Sequence, residues 1–302
     1  MIEKRLVQWY AHDAGVDLDI AEREIVLTYV LRLLHDSGLL DNLAFKGGTA
    51  IRKVIMGRSG RFSLDLDFSV HGGVTPHNLV EELQHLLHEE TYHGLNFLIP
   101  EGDAYVTDDS SGCGAEVTYS HAWIDSSYFG IQISFRAPPL LPVKNVSLIQ
   151  ERYFEWMEVD PPQVPTLDEL EILGEKIRAA IQRSRVRDLY DLFQLGKRPF
   201  NRELVRRIAV IKCWEARHTF NPDAFLSGLP EGQYDWSDLE RLVRPEWLVS
   251  AEDIITGVQN NYAFLREMTD EETQLSTDPY GRHHKLHDEL VGDLREQHHL
   301  SE

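Results

Sequence analysis

The sequence predicts an α+β protein whose first part mixes strands with helices and whose second part is helical. Three observations lead there. Alternating apolar and polar residues in F-S-L-D-L-D-F-S-V (62–70) and Y-F-G-I-Q-I-S-F (128–135) mark half-buried strands. Apolar residues at helical spacing fill 166–183, 187–195, 201–216 and 239–268. Between the two regimes stand Pro161, Pro162 and Pro165, which interrupt either kind of element.

Taken in order, A-E-R-E-I-V-L-T-Y-V-L-R-L-L-H-D-S (21–37) reads as a helix that Gly38 ends, with Asp19 ahead of it as N-cap. A short strand, Leu43–Phe45, leads through Gly47 and Gly48 into a second helix with Thr49 near its start. The strand 62–70 follows, then a helix over 76–90 with Pro76 in its first turn, where a missing N–H costs nothing. Residues 116–120 and 128–135 are further strands, separated by a turn around Asp125, Ser126 and Ser127. In the second part Thr166 suits the N-cap of the first helix. The expected division is a core at 1–160, a helical domain at 161–268 and a polar, His-rich tail at 269–302. That tail is expected to be loosely ordered.

With 302 residues, 42% hydrophobic and 26% charged, the chain is long and apolar enough to bury an ample core. Two cysteines, Cys113 and Cys213, exclude a disulfide-stapled scaffold. The N-terminal residues lack the apolar run of a signal peptide, and no window approaches the ~18 apolar residues of a membrane helix. A cytoplasmic protein with no membrane partner is expected. Its net charge of −20 excludes non-specific coating of nucleic acid, whose phosphates such a field repels. One stretch runs the other way: 176–217 holds twelve Lys and Arg against four acids, a local charge of +8. Such a stretch would suit an acidic RNA end, or be an ordinary solvated helix pair.

The residues that carry chemistry come next. Asp65 and Asp67 stand at i and i+2 on a strand, so they share a face while Leu64, Leu66 and Phe68 take the other. Two adjacent carboxylates repel unless a cation lies between them, and a divalent metal is the usual answer. The bland alternative is a solvated strand face. Gly47, Gly48 and Thr49 open a helix upstream, where backbone N–H groups can hold phosphate oxygens. This is not a Walker A loop, which needs G-x-x-x-x-G-K-[ST]. A phosphate-cradling turn followed by a D-x-D strand is nonetheless the layout that metal-assisted phosphoryl transfer requires.

These motifs resemble a known family. K-G-G-T-A-I-R (46–52) followed by S-L-D-L-D-F (63–68) is similar to the first signature of the AbiEii/AbiGii-type nucleotidyltransferase toxins. L-G-E-K-I-R-A-A-I-Q-R-S-R-V-R-D-L-Y-D-L (173–192) resembles their second, and the likeness extends over about residues 40–265. The family lies within the DNA polymerase β-like superfamily and includes tRNA-modifying MenT-type toxins.

The resemblance implies a polymerase β-like core with a mixed sheet, followed by a helical domain. It implies an enzyme that moves an NMP from an NTP to an acceptor hydroxyl, such as a tRNA 3′ end, with Mg²⁺ or Mn²⁺, and a cognate antitoxin as partner. Gly47, Gly48 and Thr49 would hold phosphates and Asp65 and Asp67 the metal. Lys176 would contact the triphosphate, and Asp188 or Asp191, which share a helix face, would complete the acidic centre. Taken without the family, Lys176 reads as a surface helix lysine, and Asp188 as a helix-start carboxylate or a partner of Arg187.

One position departs from the superfamily pattern. Its third sheet carboxylate falls in this chain on G-I-Q-I-S (130–134), which offers Gln132, a side chain that cannot ionise. The remaining readings are a degenerate nucleotide-binding module and a D-x-D glycosyltransferase or phosphatase. The H-H-x-x-H at His283, His284 and His287 lacks a zincin glutamate and reads as part of the polar tail.

Overall fold

The computed structural model describes residues 2–299. The chain forms two compact units that do not follow a single cut. The first comprises Met1–Pro139, Val143–Leu167 and Arg241–Glu246; the second comprises Leu140–Pro142, Asp168–Glu240 and Trp247–Glu302.

The first unit holds helices α1 (Lys4–Ala14), α2 (Leu18–Asp36), α3 (Gly47–Ala50) and α4 (Pro76–Leu87). Its strands are β1 (Leu43–Lys46), β2 (Leu66–Val70), β3 (Glu90–Tyr92), β4 (Leu95–Leu98), β5 (Ala104–Val106), β6 (Gly112–His121), β7 (Ile124–Ser134), β8 (Lys144–Ser147) and β9 (Gln163–Thr166). All nine join one sheet in the order β3-β4-β6-β7-β2-β1-β9-β8, with β5 also paired to β6. β2 runs parallel to β7 and β1 parallel to β9, while β1–β2 and β6–β7 are antiparallel. The sheet is therefore mixed, as expected.

Alternation decides which face is buried. Leu66 and Phe68 of β2 lie beside Ile131 and Ile133 of β7 and Cys113 and Ala115 of β6, all under the core. Burying a side chain such as Phe68 contributes about 2–3 kcal/mol. α4 repeats Leu79, Leu83 and Leu87 at four-residue spacing and packs that stripe against the sheet. Thr75 caps α4 by accepting from the Asn78 N–H, and Pro76 fills its first position, as its sequence suggests.

Several boundaries differ from the sequence reading. α2 begins at Leu18 behind Asp17, so Asp17 and not Asp19 takes the N-cap position. Residues 62–65 are not strand: the Phe62 N–H donates to the Leu242 carbonyl instead of a sheet neighbour. The β6–β7 hairpin turns at Ala122 and Trp123, and Asp125–Ser127 lie within β7. Thr166 is the last residue of β9, and the cap of the following helix is Asp168, whose carboxylate accepts from the Leu170 N–H.

The second unit is helical: α5 (Glu169–Gln182), α6 (Val186–Leu195), α7 (Arg202–Glu215), α8 (Pro222–Gly228), α9 (Trp236–Glu240), α10 (Ala251–Asn261), α11 (Asp270–Ser276) and α12 (His284–His299). α7 is its centre, buried continuously from Leu204 to Trp214 and packed against α5, α11 and α12. The expected helix over 239–268 is broken, because Pro245 starts only a short 3-10 turn and Ser250 caps a fresh helix at Ala251. The 269–302 stretch is not a loose tail over its described part. Thr269 and Glu272 form a capping box for α11, and Leu290 and Leu294 are buried on α12.

Candidate active site

In the first unit, the Gly-Gly turn and the D-x-D meet. Extended Lys46 ends β1 opposite Asp67 of β2, and the chain then turns at Gly47 with φ +76°. That angle disfavours a side chain, and a Cβ there would run into the Asp67 carboxylate, so both conditions require glycine. A Cβ on Gly48 would stand 2.6 Å from the Arg61 guanidinium and 2.9 Å from Ser63 Oγ. The turn is thus wedged between Asp67 and Arg61. It opens α3, which continues as one π-helical stretch, Ile51–Met56.

Both aspartates project from the open face. Asp65 precedes β2, and its Oδ1 accepts from the Gly130 N–H of β7 at 3.0 Å. Its carbonyl accepts the Thr49 hydroxyl. Thr49 is fully buried, so its side chain is turned onto the D-x-D backbone, and only its backbone N–H is left for a phosphate. Asp67 stands in a cross-strand row: Lys46 (β1), Asp67 (β2), Gln132 (β7), Gly114 (β6) and Tyr105 (β5) lie opposite one another in register. Gln132 is exposed directly beside Asp67, the place the sequence alignment of strands gave to an absent third carboxylate.

Behind the turn lies a buried charge network. Arg52 is 1% exposed and donates to the Glu151 carboxylate at 2.7 Å and to the Gly57 carbonyl. Lys53 donates to the Glu24 carbonyl and the Thr28 hydroxyl, both at 2.9 Å, and pairs with the Glu24 carboxylate. Burial pushes the Lys53 ammonium down in pKa against the opposing pull of Glu24. Two cations on successive residues of one helix therefore fasten the turn's own helix into the unit.

In the second unit, Lys176 of α5 is not a surface lysine. It is 7% exposed and lies between two carboxylates of α6, 3.0 Å from Asp188 Oδ1 and 2.8 Å from Asp191 Oδ2. Asp188 and Asp191 reach it together because i, i+3 positions share a helix face. The Arg183 guanidinium caps the cluster, 2.8 Å from Asp188 Oδ2. Burial raises the Asp188 pKa, but Lys176 and Arg183 outweigh it and hold the carboxyl well below the usual range. Arg187 pairs with Asp238 instead of Asp188. The eight predicted site residues thus fall into two groups, 47–49 with 65 and 67, and 176 with 188 and 191, one in each unit.

The basic stretch 176–217 is largely consumed within its unit. Lys176, Arg183, Arg187, Arg198, Arg206, Arg207 and Lys212 all carry ion pairs, and Arg206, Arg207 and Lys212 are buried. It is not a continuous solvated basic face. The H-H-x-x-H histidines are also structural: His287 stacks on Trp214 and pairs with Glu215, and His284 meets the same ring edge-on. Among the described residues no three His, Cys, Asp or Glu side chains form a metal-holding group.

Sequence reasoning missed Arg61, Ser63 and Tyr105. The first two lie in R-F-S-L-D-L-D, just ahead of the motif that drew attention. Tyr105 belongs to a three-residue strand too short to show alternation.

No helix among the described residues is long and apolar enough to cross a membrane. No curated protein matches the sequence. Among solved structures, MenT4, a nucleotidyltransferase toxin from Mycobacterium tuberculosis H37Rv, superposes with a TM-score of 0.83 at 24% identity, over 98% of this chain and 100% of that one. At that identity the likeness establishes the fold. The family model for the nucleotidyl transferase AbiEii toxin of type IV toxin–antitoxin systems matches residues 29–279, which include both signatures and every residue placed above in the two groups. The chain belongs to the AbiEii nucleotidyltransferase toxin family.

Proposed function

We propose that this toxin-family nucleotidyltransferase is metal-dependent and moves an NMP from an NTP to the terminal hydroxyl of an RNA acceptor, tRNA being the first candidate. A cognate antitoxin protein would hold the activity in check. The observation that carries the reading is the packing of the Gly47–Gly48 turn directly on Asp67, with Asp65 fixed by the Gly130 N–H. Backbone donors beside two carboxylates support the binding of one triphosphate there.

The donor set fits Mg²⁺ or Mn²⁺. Such cations take one or two carboxylates and complete their shell with waters and substrate phosphates, so Asp65 and Asp67 without a third protein ligand suffice. When bound, the ion neutralises charge on the transferring phosphate. The chain's own residues do the rest. The N–H groups at Gly48 and Thr49 hold phosphate oxygens at a helix start. Thr49 and Gly130 keep the D-x-D backbone and Asp65 carboxylate from moving as charge develops. The acceptor oxygen attacks the α-phosphorus, its O–P bond forms as the bond to the β-phosphate oxygen breaks, and pyrophosphate leaves with the electron pair. The hydroxyl proton goes to water, since Gln132 cannot accept it. In the second unit Lys176 is held by Asp188 and Asp191, and Asp188, held ionised, acts as fixed charge and not as base.

The test is incubation of the full chain with each labelled NTP, Mg²⁺ and total RNA. Label on RNA that disappears with Asp67→Asn or with chelator is expected. NTP binding without transfer to any acceptor would instead identify a nucleotide-binding module.

A further inference from the structure

Tyr105 sits at the far end of the cross-strand row that contains Asp67, and nothing in the proposed reaction uses it. Its neighbours Ala104 and Val106 oppose Ala115 and Cys113 on the core side, so Tyr105 shares the open face with Gly114, Gln132 and Asp67. The side chain is 43% exposed. A Cβ at Gly114 would meet the Ile131 carbonyl oxygen at 2.1 Å and the Tyr105 hydroxyl at 3.0 Å, so the phenol lies across the bare glycine. Among the described residues the hydroxyl makes no hydrogen bond. Burial raises its pKa, with Cys113 and Asp67 adding to the rise, which fits a ring that reaches toward the carboxylate.

The row also has a direction. The Gly47–Gly48 turn adjoins its Lys46 end, and Tyr105 is at the other. In-line displacement requires attacking and leaving oxygens on opposite sides of the phosphorus. If pyrophosphate leaves toward the turn, the acceptor enters from the side of Gln132 and Tyr105. This step rests on the nucleotidyltransferase reading above.

We infer that Tyr105 and Gln132 form the acceptor subsite, with the Tyr105 ring stacking on the terminal nucleobase of a single-stranded RNA end and the Gln132 amide bonding its ribose hydroxyls. The chemistry favours a nucleobase over a protein side chain: a flat, uncharged, half-exposed ring is a stacking platform.

The test uses the full chain and a short single-stranded RNA with 2-aminopurine at its 3′ end, whose fluorescence is quenched by stacking. Wild type should quench it. Tyr105→Ala should weaken binding about ten- to a hundred-fold and lose the quench, whereas Tyr105→Phe should keep both. In transfer assays Tyr105→Ala should raise KM for RNA by a similar factor and leave KM for NTP unchanged. Unaltered oligonucleotide binding by Tyr105→Ala, or absence of quenching by wild type, would overturn the inference. A KM change confined to NTP would do the same and place the ring on the nucleotide. Failure of the parent reading looks different: wild type binds and quenches the RNA but transfers no label to it.

Discussion

The chain carries two pairs of aspartates that look alike in sequence and sit in opposite physical settings. Asp65 and Asp67 lie on an open sheet face, where the Gly130 N–H steadies the Asp65 carboxylate and the Thr49 hydroxyl its carbonyl. Asp188 and Asp191 are 2% exposed each and are steadied by the charges of Lys176 and Arg183. Backbone donors do not depend on the carboxylate charge to stay where they are. Buried side-chain ions depend on one another. The first pair lies half-buried on the open face of the sheet, while the second is neutralised by cations of its own unit and behaves as part of the fold.

The largest effect that would break this comparison is on stability. Lys176→Ala removes the cation that buried Asp188 and Asp191 share and should cost roughly 3–5 kcal/mol, read as a lower urea midpoint at unchanged slope. A loss within about 0.5 kcal/mol would return Lys176 to the surface lysine its sequence suggests. Next comes activity. Asp67→Asn should lower transfer by roughly a hundred-fold or more, because the neutral amide is a far poorer cation ligand, while the urea midpoint stays near wild type. If it unfolded instead, Asp67 would belong with the second pair.

Gly47→Ala tests the turn. A side chain at φ +76°, directed into Asp67, should cost about 1–3 kcal/mol and depress activity as well. Normal transfer with normal stability would detach the turn from the site.

The smallest effect is the pH dependence. The folded pKa of Asp188 lies below its unfolded value, so its charge contributes stability above about pH 4 that is lost as pH falls further. Asp188→Asn should remove part of the slope of stability against pH in that acid window. A slope unchanged from wild type would remove Asp188 from the acid-sensitive part of the fold.

How much of this was legible beforehand follows the range of the interactions. The strand-helix region, the glycine turn and the D-x-D are local patterns, and they are where the sequence puts them; the prolines do not end the first unit, since β9 runs through Pro165 and the unit continues to Leu167. The Asp188/Asp191 face was legible too, from i, i+3 spacing. What escaped depends on distant partners. Lys176 reads as a surface residue because α5 alone has no way to show that α6 covers it. Phe62 reads as strand because its alternation continues, yet its N–H finds Leu242, 180 positions later. The basic stretch reads as a face because the acids that pair with it, among them Glu171, Asp238 and Glu272, lie outside it.

The return of residues Arg241–Glu246 to the first unit has a consequence for the order in which the protein is made. Arg244 is 1% exposed, lies over the rings of Tyr10 and Phe62, and pairs with Asp13 and Glu151. A ribosome that has finished the last strand still has most of the helical unit to synthesise before that arginine exists. At about 5–20 residues per second the wait is on the order of 4–16 s. During it, the segment leading into Asp65 lacks its Leu242 latch and Glu151 lacks one of its cations. A nascent chain stalled short of residue 241 should be cut near Phe62 by protease and the full chain spared there. The unit that carries the D-x-D would then be synthesised early and locked late.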